Sequence, residues 1–150
     1  MTDRSYVDAN RAATADLRAL VGTLSDADLG ADLGGGWTVS MALAHLAFWD
    51  EWHVARWVHA AGAGQLAPPA PDAEVSGRAN EALETTWRAV PPRAAAQLML
   101  DAADAVDAYV ADLADDALAS AREQGGARWF ERFHHRRDHL AQISRALGRG

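Results

Sequence analysis

The chain lacks two residue types entirely. No cysteine occurs in its 150 residues, which excludes disulfides, thiolate metal sites and a cysteine nucleophile. No lysine occurs either, so all 14 basic residues are arginine. Paired with the abundance of alanine, this matches coding bias in a GC-rich bacterial genome, and no function is read into it. Long apolar runs are missing as well; nothing approaches the ~18 consecutive apolar residues of a membrane span. The N-terminal MTDRSYVDANRAA is charged and amphipathic, without the apolar centre of a signal peptide. A cytoplasmic location is the expectation.

Positive charge is scarce relative to negative. With 21 acidic residues against 14 basic ones the net charge is -7, which disfavours a phosphate-neutralising surface and hence nucleic-acid binding. Hydrophobic residues make up 49% and charged residues 23%, the balance of a soluble globular protein with a sizeable core. Residues 1–150 are read as a single domain.

Strand-like alternation is absent too, whereas apolar positions recur with helical spacing almost throughout. A first helix is expected over about 2–22, with Tyr6, Ala13, Leu17, Leu20, Val21 and Leu24 on one stripe. Ser25 and Asp28 have the spacing of a capping box and predict one short turn of helix. Gly34, Gly35 and Gly36 break the chain, and Thr38 or Ser40 is placed to cap a second helix running to about residue 61. The segment GAGQLAPPAPD reads as a linker. Asp72 is placed to cap a third helix to about residue 88, interrupted at Pro91 and Pro92. Pro92 suits the first turn of a fourth. That segment carries Leu98, Ala102, Val106, Tyr109 and Leu113 and is expected to end near Asp115. A last helix is expected over 127–147, with Trp129, Phe133, Leu140, Ile143 and Leu147 facing the core. The fold class is all-α, a four-helix bundle with its third helix broken near the prolines.

Three histidines carry the chemical signal. His135 and His139 lie about 40° apart on a helical wheel, so both imidazoles leave one side of the last helix. His134 points about 140° from His139 and is expected in solvent. His45 lies on an apolar helix and shares a face with Met41, Phe48, Trp49, Trp52 and Arg56. Three imidazoles with open coordination positions suit a catalytic or substrate-binding metal better than a structural one. Glu131, one turn before His135, is a candidate carboxylate ligand or outer partner. Trp49 and Trp52 would wall an apolar pocket, and Arg56 could meet a carboxylate or phosphate.

Duller readings stand beside this one. A buried histidine is most often hydrogen-bonded core, and a tryptophan-rich helix is usually just packed. His53, His59, Asp50 and Glu51 are read as surface residues. The aspartates of 101–116 read as an exposed helix face, since an EF-hand's spacing and glycine are missing.

The segment GWTVSMALAHLAFWDEW resembles the W-[ST]-x-x-x-x-[LI]-x-H-[LI] start of helix two in the DinB/YfiT-like superfamily. HHRRDHLAQI resembles that family's closing H-x-x-x-H-[LI]-x-x-I. Between them, ANEALETTWRAVPPRAAAQLMLDAADAVDAYVADLADD is similar to the mycothiol-dependent maleylpyruvate isomerase N-terminal group. The likeness spans essentially the whole chain, except that those isomerases carry a further C-terminal domain. It implies a divalent metal, zinc or nickel first, held by His45, His135 and His139; some relatives have glutamate where His135 stands. It implies a metal-dependent transferase or isomerase acting on a small-molecule substrate with a low-molecular-weight thiol of the mycothiol type. The ion would lower the pKa of a thiol or water in its open position. A metal-dependent hydrolase and a non-catalytic ligand-binding bundle are the alternatives. A homodimer is the expected assembly, with its interface unplaced.

Overall fold

A computed structural model describes residues 1–149. It is predominantly helical: α1 (Ser5–Thr23), α2 (Asp26–Leu29), α3 (Val39–Gly62), α4 (Val75–Ala89), α5 (Pro92–Ala111), α6 (Asp115–Glu123) and α7 (Phe133–Ala146). A 3-10 turn covers Ala127–Trp129, and two short strands, β1 (Asp32–Gly34) and β2 (Trp37–Thr38), pair antiparallel. Helix α3 packs most extensively on α5, while α1 lies against α5 and α7. No helix among the described residues is long and apolar enough to cross a membrane.

Local signals account for several boundaries. Ser25 and Asp28 form the reciprocal capping box that their spacing predicts. Thr38 caps α3 by accepting from the Met41 N–H at 3.2 Å, and Ser40 is buried inside the helix. Pro92 opens α5, where its missing N–H costs nothing. Asp72 behaves differently from expectation. It accepts from the Glu74 N–H at 2.8 Å, one turn before α4 begins.

Three boundaries depart from the sequence reading, the last two because a distant residue takes a backbone group. Gly34, Gly35 and Gly36 all have positive φ, 91°, 62° and 83°, which glycine alone adopts without strain. They turn a small hairpin where only a chain break is expected. Helix α5 ends at Ala111 because the Arg4 guanidinium donates to the carbonyls of Ala111 (3.1 Å) and Leu113 (2.7 Å) and pairs with Asp115 (2.7 Å). Residues 115–123 then form their own helix. The expected helix over 127–147 is divided: Trp129 and Phe130 give their carbonyls to the side chains of Trp57 (3.1 Å) and Asn10 (2.8 Å). Asn10 Oδ1 accepts from the Phe133 N–H at 2.9 Å and so caps α7 from across the fold.

The core has two apolar lobes. One gathers Leu17, Leu43, Leu46, Met99 and Ile143; the other gathers Tyr6, Trp57, Val110, Leu118 and Phe130. Each fully buried leucine contributes about 1.5–3 kcal/mol. On α5 the expected stripe holds at Ala102 and Val106, with Tyr109 and Leu113 packed partly against the core, and fails at Leu98. Leu98 is 44% exposed, and the buried stripe runs through Met99, Ala102, Ala103, Val106 and Val110. Leu98 lies next to the exposed polar arc of Arg93, Gln97, Asp101 and Asp104, while alanines fill much of the buried side.

Along α1 and α3 a polar layer falls between the lobes. Arg136, 1% exposed, donates to Asp50 (2.9 Å), Asp107 (2.8 Å) and Thr14 (2.9 Å). Arg132 donates to the other oxygen of Asp50 at 2.8 Å. Two sequence expectations are corrected here. Asp50 is 1% exposed rather than solvated, and Asp107 is buried rather than on an open face. Each is tolerated inside because a buried arginine neutralises it. Burial pushes the Asp107 carboxyl up, against the opposing pull of Arg136.

Candidate metal centre

The β1–β2 turn brings Trp37 over the first two turns of α3. Its indole Nε1 donates to Glu84 on α4 at 3.0 Å, and its ring stands edge-on to His45 at 5.1 Å between centroids. Trp87 meets the His45 ring at 5.0 Å and Trp49 at 6.3 Å. These indoles surround the imidazole with apolar surface and exclude water from it. Trp37 shares a short motif with His45, but nothing in the local sequence marks Trp87 as its neighbour, because a separate helix delivers it.

His135 and His139, one turn apart on α7, complete the group. The three ring centroids form a nearly equilateral triangle with sides of 4.9 Å. Each ring offers one nitrogen, and the three lie within 4.8 Å of one another. His45 Nε2 and His135 Nε2 are 2.9 Å apart. Two nitrogens at right angles on an ion with bonds of about 2.1 Å sit about 3.0 Å apart, so this pair already has that spacing.

The three imidazoles are uncharged. Burial pushes the His45 imidazolium down to about 3, helped by the charges of His139 and Arg132. Burial likewise pushes His135 down, with Arg132 the next cause, and lowers His139 against the opposing hydrogen bond from Gln142. All three are neutral at pH 7, as metal binding requires. Their outer contacts differ. Gln142 Oε1 lies 2.9 Å from His139 Nδ1 and so turns Nε2 toward the centre. His135 Nδ1 faces Arg132 Nη2 at 3.3 Å. His45 Nδ1 is buried without a partner among the described residues. The donor set thus fits a borderline divalent cation bound through three imidazoles.

Openings reach the triad from two sides. A cavity of about 340 Å³ is bounded by His45 and His135 and continues past Trp49, Trp52 and Arg56. Another, of about 390 Å³, is bounded by His45, His139, Trp37 and Gln142. Asn80 lies on both, and its Oδ1 accepts from Trp49 Nε1 at 3.0 Å. Trp49, Trp52 and Arg56 thus line the same cavity as His45 and His135.

Other residues fall elsewhere than expected. Glu131 does not join the cluster: its Oε2 lies 3.2 Å from His134 Nε2. That contact, with the Phe133 ring 3.9 Å from the His134 ring, leaves His134 only partly in solvent. His53 is 9% exposed rather than on the surface and lines the first cavity. Burial pushes it down to about 2, with the charges of Arg132 and Arg56 adding to the effect. His59 and Glu51 are exposed, as expected. A periodicity clue to His53 existed: Asp50, His53 and Trp57 follow one stripe of α3.

Comparison with known proteins found no matching family model, no matching curated protein and no matching solved structure.

Proposed function

We propose that α1, α3, α5 and α7 form a four-helix bundle of the DinB/YfiT-like kind, and that His45, His135 and His139 hold a divalent metal, zinc or nickel first. The protein would be an enzyme joining a low-molecular-weight thiol of the mycothiol type to a small electrophile, or isomerising such a pair. One observation carries this reading: three neutral imidazoles from two helices converge within 4.8 Å beside a cavity. A bound ion would supply Lewis acidity, lowering the pKa of a thiol or water in its open position. The chain's own part is separate. Gln142 fixes the ring of His139, the indoles of Trp37, Trp49 and Trp87 keep water from His45, and Trp49 with Trp52 forms the apolar wall for a substrate.

The thiol assignment rests on the sequence resemblance, and the same open position serves a hydrolase. Protein purified without chelator is expected to carry close to one equivalent of divalent metal by elemental analysis. Loaded protein is then assayed with mycothiol and 1-chloro-2,4-dinitrobenzene, and with 4-nitrophenyl acetate. Turnover of the first pair supports the transferase; turnover of the ester alone supports the hydrolase. A third reading also has an observation behind it: the 2.9 Å contact lets His45 and His135 satisfy each other without an ion. Protein with no stoichiometric metal, and His139→Ala with unchanged stability, would make the histidines packed core in a binding module.

A further inference from the structure

The cavity beside the triad is cationic, although the protein as a whole is acidic. Arg56, Arg128 and Arg132 line it, and no carboxylate does. Asp50 neutralises Arg132 at 2.8 Å. Arg56 and Arg128 have no ion pair among the described residues. Arg56 is held in place all the same. One of its terminal nitrogens donates to the Pro69 carbonyl, and its guanidinium carbon sits 4.6 Å from the Trp129 ring centroid. Its other terminal nitrogen, Nη1, is buried with no partner, and so is Nδ1 of His53, one turn earlier on the same cavity wall. A buried donor without an acceptor costs about 1–3 kcal/mol, and here two such polar atoms occur on one wall that carries two uncompensated cations.

From this arrangement we infer that the cavity binds an elongated small molecule by an oxyanion, a carboxylate or phosphate, held by Arg56, Arg128 and His53, with its apolar body against Trp49 and Trp52. Arg56 lies eleven residues along α3 from His45, about 16 Å of axial rise. The anion is therefore anchored at the end of the cavity away from the triad, and the far end of the molecule lies toward the histidines. Guanidinium groups suit this task because their donors form a planar fork matching carboxylate and phosphate oxygens. As the substrate site of an enzyme the inference rests on the proposed metal chemistry; as a binding site it does not.

Calorimetric titration of metal-free and zinc-loaded protein with 4-phenylbutyrate, its primary amide and 3-phenylpropyl phosphate tests it. Wild-type protein is expected to bind at least one of the two anions at least tenfold more tightly than the amide. Which anion binds identifies the oxyanion. Arg56→Gln and Arg128→Gln should each cut that preference about tenfold, Arg56→Lys should retain part of it, and Arg18→Gln, on another face, should leave it unchanged. Equal binding of anions and amide by wild type, or an undiminished preference in correctly folded Arg56→Gln and Arg128→Gln, overturns the proposal. Should Arg56→Gln fail to fold by circular dichroism, the wild-type comparison and Arg128→Gln decide. Preference for the anion in a protein that takes up no zinc sinks the metal reading and leaves this one standing.

Discussion

Arg132 places Nη2 3.3 Å from Nδ1 of His135, a donor-only guanidinium against one nitrogen of a metal-ligand candidate. His135 Nδ1 must therefore accept, and the neutral ring carries its proton on Nε2. That proton points to His45 Nε2 at 2.9 Å, which in turn must accept and leave its own proton on Nδ1. This Nδ1 is the buried nitrogen without a partner. Long-range proton–nitrogen correlation spectra of the metal-free protein are expected to show His135 as the Nε2–H tautomer and His45 as the Nδ1–H tautomer. Zinc held by His135 Nε2 should move that ring's proton to Nδ1, which would break the Arg132 contact. An Nδ1–H tautomer at His135 before metal is added would contradict this reading of the Arg132 contact.

Metal affinity should depend on both the ligands and their support. His139→Ala is expected to abolish stoichiometric binding, measured by competition with a chromophoric chelator. Gln142→Ala, which frees the His139 ring, should weaken binding roughly 10–100-fold. Free metal at about 100 times its dissociation constant should stabilise the wild type by about 2.7 kcal/mol, and His139→Ala should lose that gain. Equal thermal shifts in wild type and variant would remove His139 from the ligand set.

The lowered histidines make the metal-free fold acid-sensitive. An unfolded imidazole titrates near 6.5, whereas the folded His45 stays neutral down to about 3. Between those values the unfolded chain binds more protons than the folded one, so stability falls as pH falls. His53, lowered to about 2, acts in the same direction. The contribution is complete above pH 6.5, with a slope below it of up to about 1.4 kcal/mol per pH unit for each histidine. Urea midpoints from pH 7 to pH 4 check it. A flat profile across that window would show that the imidazoles are solvated in the folded state.

Removing one member of the polar layer should cost more than its hydrogen bonds suggest. Asp50→Ala leaves Arg132 with no carboxylate and Arg136 with only Asp107. A loss of about 3–5 kcal/mol is expected, because a buried charge is left uncompensated. Chemical denaturation measures it. A loss below about 1 kcal/mol would mean that water enters the layer.

Much of the helical framework was legible in short-range signals. The Ser25–Asp28 capping box, the Thr38 cap and Pro92 at the start of α5 are each set by groups within three residues, so local chemistry alone specifies them. The histidine triad was legible too, but only in part. Two ligands share a helix face by spacing, and the pocket residues Trp49, Trp52 and Arg56 follow His45 along one face. The misplaced residues have a common cause. Asp50, His53 and Asp107 carry polar side chains, and apart from the α3 stripe that Asp50 and His53 share with Trp57, nothing nearby in the chain announces the partners that bury them.

By itself, the chain determined where α2, α3 and α5 start, which imidazoles share a side, and that neither thiolate nor lysine chemistry is available. The tertiary structure decided the rest. It set Trp37 and Trp87 against His45, Arg132 against His135, and Asn10 at the head of α7, bringing together groups from distant parts of the chain. Periodicity specifies the direction in which a side chain leaves its helix. What that side chain meets, and hence its charge state, depends on which element packs opposite, and that is fixed only when the whole core closes.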